Sequence, residues 1–455
     1  MTMQSINPAT GMIIETYNEY TREKTTAVIE SVNKASSKWR DTNIANKSRF
    51  MKSAARVLRN NTDEYARLII REMGKPIAQS RSEINKCALV CDFYAENAES
   101  FLRPEIIPTD ARKSFVVFEP LGIVLGVMPW NFPFWQVFRF AAPALMAGNT
   151  CLLKHASNVP GCALAIEAIF HEAGFPENTF RTLLVKSHKV NAIIDNPAIR
   201  AVTLTGSVTA GRAVAARAGS QLKKTVMELG GSDAYVILED ADLVSAVAEC
   251  IEARLVNSGQ SCIAAKRFIV VRSQIMEFER LLVQGMREKR VADPLLEDTE
   301  IGPLARIDLR DELHQQVMKS IEMGAECLLG GEMPEGTGAF YNLTVLTNVK
   351  KGMPAFDEEL FGPVAAIIRV EDEKDAIRAA NDSVFGLGAA VFTRDRERGE
   401  RIATYELEAG NCFVNAFVRS DPRLPFGGIK QSGYGRELSH FGIKEFVNIK
   451  TLYVK

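Results

Sequence analysis

The chain has 455 residues, 46% hydrophobic and 24% charged, the balance of an ordinary soluble protein too long for a single core, so two or three domains are expected. Lysine plus arginine (55) nearly cancels aspartate plus glutamate (56), for a net charge of -1, and no global field points to nucleic acid or an anionic membrane as partner. No apolar stretch approaches the roughly 18 residues that span a bilayer, and the start at Met1-Thr2-Met3-Gln4 lacks the pattern of a secretory leader, so a cytoplasmic protein is expected.

Eight cysteines are scattered at 87, 91, 151, 162, 250, 262, 327 and 412 and form no disulfide framework. Cys87 and Cys91 are four apart on a predicted helix with no His or Cys nearby, which favours packing over zinc. No metal site is expected.

The first hundred residues read as mostly helical. Phe50, Met51, Ala54, Val57 and Leu58 keep one face apolar, and a further helix starts at Asn61 with Glu64 three residues on and stops at Gly74, with Pro76 beyond. Phe115–Phe118 and Ile123–Val127 suggest two strands. The stretch Pro129-Trp130-Asn131-Phe132-Pro133 can continue neither, so a shaped loop follows.

The period then switches repeatedly: strand Thr150–Lys154, helix Gly161–Glu172, strand Phe180–Val185, helix from Ser187, strand Ala201–Thr205, helix Val208–Ala218, strand Lys224–Leu229. Such alternation predicts right-handed crossovers and a doubly wound parallel sheet, with ligands at the carboxyl ends of its strands. The turn Thr205-Gly206-Ser207-Val208-Thr209-Ala210-Gly211 lies at one such end, and the helix after it offers free N–H groups to a phosphate. From Asp233 to about Pro425 a second αβ rhythm predicts another domain. The tail Glu445–Lys455 alternates polar and apolar residues like an edge strand and is expected to pair with another subunit.

Three stretches bear on chemistry. A helix from about Asp242 runs toward Gly259, a residue suited to a left-handed turn, and Cys262 follows on a loop before a strand at Phe268–Val271. A lone thiol is more often a small buried hydrophobe than a nucleophile. Glu228-Leu229-Gly230-Gly231 ends the last strand of the first lobe, where a carboxylate could take a proton from a thiol or a water. Glu359-Leu360-Phe361-Gly362-Pro363 and Pro425-Phe426-Gly427-Gly428 read individually as turns.

In this order, Asn131 after Pro-Trp, Gly206 with Gly211, Glu228-Leu-Gly-Gly, Gly259-Gln-Ser-Cys262, Glu359-Leu-Phe-Gly-Pro and Pro425-Phe-Gly-Gly-Ile-Lys-Gln-Ser-Gly433 together resemble the aldehyde dehydrogenase superfamily over nearly the whole chain. Within it, Glu-Leu-Gly-Gly-Ser-Asp, Gly-Pro-Leu-Ala-Arg and Gly-Arg-Glu-Leu-Ser-His-Phe-Gly are similar to bacterial succinate-semialdehyde dehydrogenases.

The resemblance implies an α/β fold: a Rossmann-like cofactor-binding domain over 1–230, excluding about 107–128 and with 429–444 a candidate to return to it. An α/β catalytic domain would span 231–428, with a small β oligomerisation arm from 107–128 and 445–455. It implies Cys262, Glu228 and Asn131 as catalytic residues. Trp130, Lys154, Ser157, Gly206, Ser207, Gly211, Glu359 and Phe361 would hold the cofactor, and Arg139, Trp135 and Ser420 the substrate. A homodimer or homotetramer is implied.

Two departures refine the expectation. Many relatives read Lys-Pro-Ser-Glu where this chain has Lys154-His155-Ala156-Ser157. A serine does not repel a 2'-phosphate and Lys154 can attract it, so NADP is expected to be preferred over NAD. Arg139 and Ser420 stand where acid-bearing aldehydes are bound, yet the second arginine of many such enzymes, six before the cysteine, is Val256 here, with Arg419 a candidate to compensate. Another semialdehyde or a neutral aldehyde is the alternative substrate. A thiol esterase, or a binding protein on an old enzyme fold, is the alternative class.

Overall fold

The computed structural model describes residues 2–455. The chain is α/β, built on two mostly parallel sheets with three small antiparallel ones beside them.

The amino-terminal helices fold as their apolar spacing predicts. Asn43 accepts the Asn46 N–H at 2.9 Å to cap the helix Ile44–Asn60, which buries Met51, Ala54, Ala55 and Leu58. The next helix, Thr62–Met73, ends at Gly74 with φ of 80°. Asn61 does not cap it, contrary to expectation: its amide donates to the Val57 carbonyl at 3.1 Å, because the preceding helix ends at that residue and claims the side chain. The long helix Ile77–Phe101 packs across this layer and against the helix Trp135–Met146.

The first sheet runs Gly433–Tyr434, Lys224–Glu228, Ile199–Thr205, Ile123–Met128, Thr150–His155, Phe180–Thr182. All neighbours are parallel except the first pair. Successive strands leave Ile123–Met128 first on one side and then on the other. The carboxyl ends of Ile123–Met128, Thr150–His155 and Ile199–Thr205 therefore face one crevice at a topological switch point. Ile123–Met128 was expected within the arm segment 107–128; it lies instead inside this sheet, because its almost wholly buried residues need cover on both faces.

The second sheet runs Glu326–Leu329, Thr344–Thr347, Val364–Val370, Ala265–Val271, Asp233–Ile237, Gly388–Phe392, Asn411–Val414, parallel apart from its first strand. The tail Val447–Val454 pairs antiparallel with Lys113–Pro120 of the same chain, which also pairs with Glu105–Ile106. The tail's far edge pairs with no strand among the described residues. No helix among them is long and apolar enough to cross a membrane.

Candidate active site

The helix Leu243–Leu255 runs into a turn in which Asn257, Ser258 and Gly259 all have positive φ, at 55°, 55° and 77°. Each non-glycine residue there costs of order 1–3 kcal/mol and needs tertiary support. Asn257 has it: its N–H donates to Gln79 at 2.7 Å, and its amide donates to the Asn131 carbonyl at 2.7 Å and the Gln260 carbonyl at 3.1 Å. Ser258 accepts the Gly302 N–H at 3.0 Å. A side chain on Gly259 would strike the Gly362 carbonyl, so this turn is pressed directly onto the segment carrying Glu359. Arg254, wholly buried, donates to both the Gly259 and Leu360 carbonyls, at 2.7 and 3.4 Å.

The Cys262 loop itself is held from below by Lys266. Its ammonium donates to the carbonyls of Ser261 (2.9 Å), Cys262 (2.7 Å) and Ala264 (3.3 Å), and lies 3.5 Å from Glu359. Burial pushes the Cys262 thiol up to about 12, against the opposing pull of Arg139 and Lys266.

Asn131 sits on the loop after Met128. That loop is pinned by Glu83, whose carboxylate accepts the N–H groups of Phe134 (2.8 Å) and Trp135 (3.0 Å) and pairs with Lys75. It is pinned again by His155, whose Nε2 donates to the Pro133 carbonyl at 2.8 Å; burial holds the ring neutral, its pKa down at about 4. The Asn131 amide donates to the Gln260 carbonyl at 3.0 Å, which joins it to the Cys262 loop and leaves its second N–H free.

Glu228 ends the strand Lys224–Glu228 and is buried, with neither carboxyl oxygen hydrogen-bonded among the described residues. Burial first, and the neighbouring Glu437 second, raise its pKa well above the ordinary value. Glu437 pairs with Arg139, the two side chains 3% and 2% exposed. Arg139 also lies 4.7 Å over the Phe426 ring.

Cys262, Trp135, Arg139, Ser420 and Lys86 line one cavity of about 1120 Å³. Glu228 does not line it and sits behind, where a side chain on Gly427 would meet its carboxylate. Within the cavity Lys86 donates to the Ser420 hydroxyl at 2.8 Å and lies 4.4 Å over the Trp135 ring.

On the crevice side, Lys154 is 7% exposed and its ammonium has no hydrogen-bond or ion-pair partner among the described residues. Ser157 stands near it in the chain, beyond the same strand. Ser207 caps the helix Val208–Ser220 by accepting the Ala210 N–H at 3.2 Å. Trp130 and Phe361 meet edge to face at 5.7 Å. Glu359 accepts the Gly231 N–H at 3.0 Å, and Gly230 must lack a side chain because one would overlap that carboxylate. A bare ammonium, an uncharged hydroxyl, a helix amino end and a carboxylate suited to ribose hydroxyls fit a phosphorylated dinucleotide. Gly211 is buried against Leu229, where its missing side chain seats the helix on the sheet.

The aldehyde dehydrogenase family model matches residues 1–452, and the chain belongs to that family. It is 48% identical to a probable NADP-type succinate-semialdehyde dehydrogenase of Synechocystis, with 100% of each chain covered. It is 45% identical to the NAD(P)-type succinate semialdehyde dehydrogenase Sad of Escherichia coli, covering 99% of this chain and 97% of the relative. The fold superposes on succinic semialdehyde dehydrogenase from Streptococcus pyogenes, solved with NADP+, at a TM-score of 0.97 and 35% identity over 99% of both chains.

Four residues that shape the site escaped sequence reasoning: Lys86, Asn257, Lys266 and Glu437. Only Lys266 and Asn257 carry a local signal, being a polar pair flanking Cys262; Lys86 and Glu437 meet their partners across 334 and 298 positions of chain.

Proposed function

We propose that the protein oxidises succinic semialdehyde to succinate, with NADP preferred over NAD. One arrangement carries the reading: Cys262 lines the same cavity as Lys86, Arg139 and Ser420, so an aldehyde bearing a carboxylate can meet thiol and cation at once. The full-length likeness to the Synechocystis and E. coli enzymes supports the same substrate.

An aldehyde does not readily lose hydride directly. Addition of the Cys262 thiolate makes a tetrahedral thiohemiacetal whose oxyanion can expel it. The free N–H of Asn131 and the backbone N–H of Cys262 would hold that oxyanion, at roughly 3 kcal/mol per donor. Lys154, Ser157, Ser207 and Glu359 would hold NADP, which would supply the hydride acceptor. The acyl group left on Cys262 as a thioester must be hydrolysed, and Glu228 is the base proposed to activate the water. The uncovered edge of Val447–Val454, with Ile449 and Tyr453 more than half exposed, supports a homo-oligomer, and the cytoplasm is the proposed location.

A panel of acid-bearing and neutral aldehydes, assayed with each cofactor at the reduced-nicotinamide absorbance, tests the reading. Succinic semialdehyde with NADP should give the highest kcat/KM. A neutral aldehyde turned over equally well would replace the substrate, and thioester turnover without nicotinamide would replace the reaction.

A further inference from the structure

We propose that Lys86, on the helix Ile77–Phe101, selects acid-bearing aldehydes, its ammonium and the Ser420 hydroxyl together receiving the substrate carboxylate; this rests on the substrate proposed above. Four cations line the cavity, Lys86, Arg139, Lys289 and Arg419, and three of them are poorly placed for the task, Lys289 because it is paired with Glu300 at 2.7 Å. The Arg139 guanidinium is already paired with Glu437 in a buried contact, so its charge is largely balanced before any substrate arrives. Arg419 is exposed, its guanidinium 5.7 Å over the Phe417 ring, where water screens it.

Lys86 differs on both counts. It is half-buried, and among the described residues it forms no ion pair. The acids nearest to it are committed elsewhere: Glu83 to Lys75 and to the N–H groups of Phe134 and Trp135, and Asp421 to Arg423 at 2.6 Å. Cys87, the other ionisable neighbour, is a wholly buried thiol. Burial, with Arg139 adding to it, draws the ammonium's pKa down to about 8, the mark of a cation whose surroundings leave it uncompensated. A carboxylate entering the cavity would relieve that cost.

The hydrogen-bonding geometry agrees. Lys86 donates to Ser420 at 2.8 Å, so the serine oxygen is an acceptor and its own proton is free to be donated. The ammonium keeps two further N–H groups. One carboxylate can therefore bridge the two side chains, while the Trp135 face 4.4 Å away holds the lysine stem in place.

The test uses the full-length enzyme with NADP and two four-carbon substrates, succinic semialdehyde and butanal. In K86M and K86Q the ratio of kcat/KM for the semialdehyde to that for butanal should fall by about 10- to 100-fold, carried by KM, the scale of one charge-assisted contact. K86R should recover most of it, and succinate should compete with butanal correspondingly less well in K86M. A parallel loss on both aldehydes in K86M and K86Q, or an unchanged ratio, overturns the role of Lys86. If the wild-type enzyme already prefers the semialdehyde, the proposed substrate survives that result. A wild-type enzyme with no such preference overturns the substrate, and the role of Lys86 with it.

Discussion

Arg139 and Glu437 form an ion pair in which neither side chain is more than 3% exposed, and Arg139 also lines the cavity that Cys262 lines. Glu437 raises the pKa of Glu228 while Arg139 lowers it. The arginine expected to hold the substrate carboxylate thus also balances two buried acids.

Removing one member of such a pair leaves the other charge buried and alone, at about 3–5 kcal/mol. R139M should lower the thermal midpoint and reduce activity on acid-bearing and neutral aldehydes alike. Melting curves and the two-substrate comparison check this; a loss confined to succinic semialdehyde, with the midpoint unmoved, would return the carboxylate to Arg139.

Cofactor choice should follow position 157. S157E places a carboxylate near Lys154, where it can accept from the ribose hydroxyls of NAD and repel a 2'-phosphate. The ratio of kcat/KM with NADP to that with NAD should fall by about 10- to 100-fold. An unchanged ratio would show that the phosphate lies elsewhere.

E228Q should separate the two halves of the reaction. Thiohemiacetal formation and hydride loss do not need the carboxylate, whereas thioester hydrolysis does, at about 100-fold or more. Mixing the variant with NADP and substrate should give a burst of reduced cofactor followed by slow turnover, with the acyl mass retained on Cys262. Slow turnover without a burst would place the role of Glu228 before hydride transfer.

The thiol's reactivity should depend steeply on pH. With burial holding its pKa at about 12, the thiolate fraction of cofactor-free enzyme rises about tenfold per pH unit across the neutral range. Iodoacetamide labelling at Cys262, followed by mass spectrometry, should rise with the same slope. A plateau near neutral pH would mean that the ion pairs around Lys266 and Arg139 outweigh burial.

The sequence was most legible where local signals and tertiary need coincide. Thr150–His155 and Ile199–Thr205 are apolar runs between turn residues, and they form strands close to where the period places them. The family motifs identified Cys262, Glu228 and Asn131, and all three lie on the loops or strand ends from which they were expected. What sequence could not supply was pairing across distance. Nothing near Lys86 announces Ser420, and Arg139 read alone looks free because Glu437 arrives from the far end of the chain. The left-handed Asn257 and Ser258 were equally hidden, since the groups their side chains and backbone meet, on Gln79, Asn131 and Gly302, come from distant stretches of chain.

The contact between Gly259 and Gly362 leaves no slack between the turn before the nucleophile and the segment carrying Glu359, and Arg254 and Lys266 tie the same two stretches again. They amount to one mechanical part. With the cofactor held at Glu359 and Phe361 as proposed, a change made there to improve that grip will also re-aim the sulfur, so affinity and turnover cannot be adjusted one at a time from that side.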